Sequence, residues 1–413
     1  MKGIERKNGE LFVDNISLNN IAKDFGTPTY VYSEPLLRDN FESYSSSIRE
    51  NDKVCYAVKS NSNLSILKLL VSLGSGFDVV SGNELKKCLL AGADPKKIVF
   101  SGVGKSEKEI NYAIENRIFS INIESESELE RILKISDNLE KRVSCSIRVN
   151  PEISSESHPY IQTALKTSKF GVDEDCCFRM AQRIKDSKNI DLIGIASHIG
   201  SQISKSSLVN ENVDFLLKII NKLNNKDHNI NSLDIGGGFG IRYKDEKSLS
   251  PRKVIPSLLD KLGKDKNLIL EPGRSISGGV GVMLTKIEYI KESRDHNFAI
   301  VDAGMNDLIR PSLYGAWHKI EPVNLKEGLG EETYRFVGPI CESADQFGDR
   351  DMGIEEGDLV AVYDVGAYGF SMSSNYNSRT KSAEILTNKG KMKVIRSRET
   401  FKDMLGDEIE LLR

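Results

Sequence analysis

A (β/α)8 TIM-type barrel followed by an all-β domain is the fold class this sequence predicts, and two observations carry it. Between about residues 34 and 275 of the 413-residue chain, eight short apolar runs alternate with segments of helical periodicity. After residue 280 long helical patterns become few, and strand-like segments follow one another across turns. Eight βα units in about 240 residues suit a closed barrel. An open doubly wound sheet is the other arrangement the alternation admits. The expected boundaries are 30–278 for the barrel and 279–413 for a β domain built as a sandwich or Greek-key barrel. The strand-like N-terminal stretches "LFVDN" and "PTYVY" could join either domain; residues 1–29 are assigned to the β domain.

Taken in order, "EPLLRDNFESYSSSIRE" reads as a helix, "VCYAVKS" as a strand and "LSILKLLVSLG" as a helix ending at Gly74. "FDVVS" and "NELKKCLLAGA" form the next strand and helix, then "KIVFSG" and "SEKEINYAIENR", then "FSINIES" and "ESELERILKISDNL". "RVSCSIRVN" is a strand, followed by an irregular stretch from Pro151 to Val172 and the helix "DCCFRMAQRIKDSKN". "IDLIGIASHIG" leads to the helix "LVNENVDFLLKIINKL". "INSLDIGGG" and "NLILEPG" are the last two strands, with "VIPSLLDKLG" between them. Short apolar runs bounded by Gly or polar clusters mark buried strands, and 3.6-spaced apolar residues mark helices. Beyond residue 280, "MLTKIEYIKES", "NFAIVDAG", "TYRFVGPI", "DLVAVYDVGAY" and "SAEILTNKGKMKVIRS" read as strands.

Composition excludes several classes of function. The net charge of −3 offers no basic footprint for nucleic acid. No apolar run approaches membrane-spanning length, and the polar N-terminus lacks a signal-peptide core. Six cysteines, at 55, 88, 145, 176, 177 and 341, form no CxxC pair and no zinc-ligand spacing with the five histidines, so no metal is expected. That usage suits a reducing compartment, and the chain is expected in the cytoplasm without a membrane or nucleic-acid partner.

In a (β/α)8 barrel, residues at the C-terminal strand ends build the active site. Those ends carry Lys59, then Asp78 and Ser81, Ser101, Arg148 and Asn150, His198, Gly236–Gly237–Gly238 and Glu271. Lys59 alone could be a surface lysine. Grouped with a histidine, a carboxylate and a glycine turn, it reads as a reactive amine that forms a Schiff base. Each group has a role toward pyridoxal 5'-phosphate. Lys59, its pKa lowered in a crowded cationic site, would hold the aldehyde. The three glycines would let backbone N–H groups approach the phosphate. His198 would lie flat against the pyridine. Glu271 would keep the ring nitrogen protonated, which favours carbanion chemistry such as decarboxylation. The plain alternatives are a tight turn for the glycines, a structural histidine, and a salt-bridged Glu271.

"YAVKSN", "HIGSQ", "DIGGGFG", "EPGRSI", "GPICESAD" and "GAYGFSMSSNYN", in this order over nearly the whole chain, resemble the fold-type III pyridoxal-phosphate decarboxylases. Within them, "DAGMNDLIRPSLYGAWHKI" is similar to the diaminopimelate decarboxylases. The resemblance implies decarboxylation of meso-2,6-diaminopimelate to L-lysine and carbon dioxide, the last step of lysine biosynthesis. By motif it implies Lys59 and Cys341 as catalytic residues, Cys341 being the proton donor. It places the cofactor among Lys59, His198, Ser201, Gly236, Gly237, Gly238, Glu271, Pro272, Gly273, Arg274 and Tyr368. It assigns Arg274, Arg310, Tyr314, Glu342 and Tyr368 to the substrate, with Glu342 at its distal amine. It further implies a homodimer with shared active sites, Cys341 and Glu342 entering from the second subunit. Two arginines suit the distal carboxylate through charge-assisted hydrogen bonds. One departure is Thr163–Ala164, where family members commonly read Thr-Gly; alanine restricts that backbone.

The nearest rival is a related decarboxylase of ornithine, arginine or carboxynorspermidine, which has no need of two distal arginines and tends to carry Asp where Glu342 stands. A racemase on the same barrel typically sets an arginine, not a carboxylate, against the pyridine nitrogen. A non-catalytic homologue would not need Lys59, Cys341 and the phosphate turn together.

Overall fold

The computed structural model describes residues 3–153, 168–406 and 408–412. It divides into two compact units: Asn40–Arg242 with Glu246–Ile276, and Met1–Asp39 with Tyr243–Asp245 and Ser277–Arg413. Strands are numbered along the chain, starting with β1 (Ile4–Lys7), β2 (Glu10–Val13), β3 (Ile16–Ser17) and β4 (Thr29–Ser33) of the second of these units.

In the first unit, eight parallel strands close on themselves. They are β5 (Lys53–Ala57), β6 (Gly76–Val79), β7 (Ile98–Phe100), β8 (Ser120–Ile123), β9 (Val143–Arg148), β10 (Ile190–Ala196), β11 (Ser232–Asp234) and β12 (Asn267–Leu270). Pairing of β12 with β5, Ile269 with Lys53 and Leu270 with Val54, distinguishes a barrel from an open sheet. Closure removes both edges, which is why runs as short as three or four apolar residues suffice as strands. Cys55, Val99 and Ile269, from three different strands, pack together inside. Polar caps start the helices between strands. Ser106 and Glu109 form a reciprocal capping box at Glu107–Glu115, and Ser125 caps Glu126–Leu139. Ser81, expected among the mouth residues, is instead the cap of Gly82–Leu90; its hydroxyl accepts the Glu84 N–H. Its place directly before a helix commits the side chain to the backbone.

The second unit holds a mixed sheet of nine strands, among them β15 (Ile320–Pro322), β16 (Glu332–Val337) and β17 (Gln346–Met352), and a separate three-stranded sheet, β1-β2-β3. β13 (Gly281–Glu292) is twelve residues long and pairs with different neighbours along its length. Its first half lies between β4 and β18 (Leu359–Tyr363), and its second half pairs with β14 (Asn297–Val301). N-terminal β4 also pairs in parallel with β19 (Ala383–Asn388), so the start of the chain is woven into the sheet. Leu18 and Ile21 of the helix Leu18–Phe25 bury against Val31, Val282, Leu284 and Ile385 of that sheet. No helix among the described residues is long and apolar enough to cross a membrane.

Candidate active site

Lys59 follows β5 on a single 3-10 turn, Val58–Ser60, rather than within the strand. The Ala57 N–H donates to the Pro272 carbonyl, which ties the end of β5 to the segment after β12. The Lys59 amine lies 2.6 Å from Asp78 Oδ2. A carboxylate thus stands directly beside this lysine: Asp78 is fully buried and its other oxygen, Oδ1, has no hydrogen-bond partner. A buried carboxylate with one open oxygen beside an amine holds that amine in place and leaves an acceptor available.

The ends of β11 and β12, on the other side of β5 from Asp78, are also acidic. Glu271 follows β12 and Asp234 ends β11; the two carboxyls share a hydrogen bond. Asn122 of β8 donates from one Nδ2 to Asp234 Oδ2 and to Ser101 Oγ, each at 3.1 Å. The Gly236 N–H donates to Asp234 Oδ1 at 2.9 Å. Burial pushes Glu271 well above the usual carboxylate range, and the charges of Asp234 and Asp78 push it further; Lys59 opposes them. Asp234 is raised as well, chiefly by burial. Two carboxyls this close in a dry site cannot both ionise readily, so the pair retains a proton between them.

His198 follows β10, and its Nδ1 faces the Gly237 N–H at 3.3 Å. Accepting there makes Nε2 the protonated nitrogen. Burial, then the charges of Arg148 and Lys59, hold the ring well below its ordinary pKa, so the imidazole is neutral. Arg148 is fixed by Glu124 at 2.9 Å and lies over the Phe170 ring at 4.8 Å. Glu124 also accepts the N–H groups of Gly102 and Gly171, tying three strand-end loops together.

The glycine turn after β11 is a close approach of backbone to backbone. A Cβ on Gly237 would lie 2.1 Å from the Glu271 carbonyl oxygen, and one on Gly238 2.3 Å from the Gly200 carbonyl. Gly238 also has a φ of 95°, a conformation open chiefly to glycine. Beside this turn, the buried Arg274 donates from Nε and Nη2 to Ser201 Oγ at 3.1 and 3.0 Å. Gly273 presses on Ala57 and Ser60, where a Cβ would find only 3.0 to 3.1 Å.

The remaining expected residues lie in the β unit. Arg310 and Tyr314 share one face of the five-residue helix Arg310–Tyr314, four positions apart. Arg310 is buried, with Nη1 2.9 Å from His318 Nε2 and its guanidinium 4.7 Å over the Tyr243 ring. His318 Nδ1 lies 2.8 Å from the Tyr363 carbonyl, which makes Nδ1 the donor and Nε2 the acceptor toward Arg310. Cys341 and Glu342 stand on an exposed loop. Tyr368 has a left-handed φ of 58°. Thr163–Ala164 lies outside the described residues.

The barrel unit thus brings together Lys59, His198, Ser201, Gly236–Gly238, Glu271, Pro272, Gly273 and Arg274 on the loops at one end of its strands. Sequence reasoning missed Asp234, Asn122 and Glu124, and gave Asp78 no role. Asp234 stands inside "DIGGG", where attention went to the glycines; a polar residue closing an apolar strand was the available signal. A primary amine held by a carboxylate, a protonated carboxyl pair and a glycine-lined cradle flanked by Arg274 and Ser201 suit a phosphorylated carbonyl cofactor with a basic ring nitrogen. Pyridoxal phosphate has each of those parts.

Residues 36–278 match the family model described as "Pyridoxal-dependent decarboxylase, pyridoxal binding domain". The diaminopimelate decarboxylase of Vibrio cholerae is 43% identical over 403 residues, covering 97% of this chain and 96% of the relative. That of Aquifex aeolicus is 42% identical, covering 99% and 98%. Among solved structures, diaminopimelate decarboxylase from Helicobacter pylori complexed with L-lysine superposes with a TM-score of 0.91 at 39% identity. That match covers 95% of this chain and 99% of the other.

Proposed function

The chain belongs to the diaminopimelate decarboxylases, pyridoxal-dependent carboxy-lyases that leave lysine and carbon dioxide, and we infer that the strand-end loops of its barrel hold the chemistry. Its cofactor is pyridoxal phosphate, which when bound supplies an electron sink for the pair left behind as carbon dioxide departs.

The observation that carries the assignment of residues is the Lys59 amine against Asp78, with the hydrogen-bonded Asp234–Glu271 pair at the same barrel end. Lys59 Nζ provides the covalent attachment, and Asp78 is the acceptor in reach of the proton it sheds. Asp234 and Glu271 keep a proton available where a ring nitrogen meets Glu271. Neutral His198, held through the Gly237 N–H, offers a flat face without a competing charge. Arg274, Ser201 and the turn Gly236–Gly238 take the phosphate, Gly238 through its N–H, while the N–H groups of Gly236 and Gly237 stay on Asp234 and His198. Arg310 and Arg274 grip the substrate's distal carboxylate, with Tyr314 beside Arg310 and Tyr368 near both ligands. Glu342 takes the distal amine. The Cys341 thiol returns a proton to the carbon that lost the carboxylate.

Cys341 and Glu342 serve a second copy of the chain in this reading, so the working unit is a homodimer. The family resemblance of "GPICESAD" and the exposure of both residues in the single chain support it. The cytoplasm is the proposed location, supported by free thiols at all six cysteines. The test is to load the purified protein with pyridoxal phosphate and offer meso-diaminopimelate, lysine, ornithine and arginine separately. Carbon dioxide and L-lysine from the first alone are expected. Turnover of ornithine or arginine at a comparable rate would overturn the substrate reading.

A further inference from the structure

The loop carrying Cys341 and Glu342 is held from two sides. Asp345, a buried carboxylate, accepts the N–H groups of Ile340 at 2.7 Å and Met305 at 2.6 Å, which anchors the loop to the sheet. The opposite hold comes from the turn Tyr376–Ser378. Asn377 Oδ1 accepts the Cys341 N–H at 3.1 Å, and the Tyr376 phenol donates to the Glu342 carboxylate. One turn grips the backbone of the first residue and the side chain of the second.

That turn is an unfavourable one to build. Two successive residues take left-handed conformations, Asn377 with φ of 53°, which asparagine tolerates, and Ser378 with φ of 55°, which costs a serine more. A chain that needed only to reverse direction would place glycine here. The turn is closed by Asn375 Nδ2 and the Arg379 N–H, which donate to the Arg379 carbonyl at 3.0 Å and the Tyr376 carbonyl at 3.3 Å respectively, and the Ser374 N–H ties the chain before it to the Asn306 carbonyl at 2.9 Å. Tyr376 is 45% exposed, so its hydrogen bond adds little to stability in water. Strain held in place beside an exposed Cys-Glu pair points to a function of position.

We propose that Tyr376 and Asn377 are positioning residues for the Cys341–Glu342 dipeptide, and that the Tyr376–Glu342 hydrogen bond sets the preference for substrates carrying a distal ammonium. The proposal rests on the reading that Glu342 meets that amine. With one carboxylate oxygen engaged by the phenol, the side chain loses rotational freedom before substrate arrives, and the other oxygen is aimed in advance. The bond to Glu342 pushes the Tyr376 phenol above its ordinary pKa, so it remains a donor at neutral pH. Asn377 does the same for the Cys341 backbone and so for the direction of its thiol.

The experiment compares kcat/KM of the cofactor-loaded enzyme for diaminopimelate and for 2-aminopimelate, which keeps the distal carboxylate and lacks the distal amine. Tyr376→Phe should lower the ratio of the two about tenfold, through KM for diaminopimelate rather than kcat. Glu342→Gln should lower it further, and the double variant should match Glu342→Gln, because Tyr376 acts through Glu342. Asn377→Ala should lower kcat with both substrates, and Asn377→Asp, which keeps the acceptor, should restore it. An unchanged ratio in Glu342→Gln overturns the distal-amine reading and the proposal with it. A ratio lost in Glu342→Gln but retained in Tyr376→Phe, or additive effects in the double variant, overturns the proposal alone.

Discussion

Lys59 would be an ordinary surface lysine without the fully buried Asp78 at 2.6 Å. Lys59→Ala is expected to abolish turnover and the visible absorbance of the cofactor-loaded protein. Near-normal decarboxylation by that variant would refute the attachment. Arg310→Ala should weaken diaminopimelate use by roughly 30- to 1,000-fold, since leaving a buried charge unpaired costs about 2–4 kcal/mol. Cofactor binding should persist, because Arg310 lies in the β unit and the cofactor residues other than Tyr368 lie in the barrel unit. The Asp234–Glu271 pair makes a pH prediction. Both folded pKa values lie above their unfolded ones, so the folded state binds more protons. The stability of the cofactor-free protein is therefore fullest below the usual carboxylate range and declines as pH rises from there through the raised values. Asp234→Asn removes one charge of the pair, and rotation of Asn122, whose Oδ1 has no partner, would satisfy the new amide. The variant should gain on the wild type in thermal midpoint between pH 5 and pH 8; a constant difference across that range would show that the pair shares no proton.

At the scale of elements, the turn after β11 is positioned by contact with the residue that follows β12, because Gly237 has no room for a methyl group against the Glu271 carbonyl. Gly237→Ala must displace backbone, not a flexible side-chain tip, and should cost about 1–3 kcal/mol with a marked loss of cofactor affinity. Gly104, with nothing within 4 Å of its would-be Cβ and no left-handed φ, is the control; Gly104→Ala should change stability by at most about 0.5 kcal/mol. Equal effects at the two positions, read by thermal denaturation and cofactor titration, would show that close approach is not what the triple glycine provides.

For the whole molecule, Lys59 and Cys341 lie in different units of one chain, and the shared-site reading assigns each site one of them from each copy. Lys59→Ala and Cys341→Ala should each be nearly inactive alone. After subunit exchange of an equal mixture, half of the chains' pairings are mixed, and one site in each mixed dimer is intact. Activity should return to about a quarter of wild type for a two-fold dimer. Mass spectrometry establishes that mixed dimers formed; no recovery in their presence would sink the shared site.

The alternation of short apolar runs and amphipathic segments was legible because burial imposes periods of 2 and 3.6 on the sequence itself. The motifs "YAVKSN", "DIGGGFG" and "EPGR" were legible because glycine and reactive side chains sit at fixed places along the chain. Other features arose only in three dimensions. Pairing of β12 with β5, about 200 residues apart in sequence, closes the barrel, and no local pattern encodes a hydrogen bond at that separation. The weaving of β4 between β13 and β19 depends likewise on partners at opposite ends of the chain. Sequence reading gave Lys59 no carboxylate partner, whereas folding gathers Asp78, Asp234 and Glu271 from the ends of three strands. Ionisation follows from burial and from neighbouring charge, and both are properties of the folded chain. The residue types thus determined which chemistry was available; tertiary structure decided which carboxyl holds an amine and which pair keeps a proton.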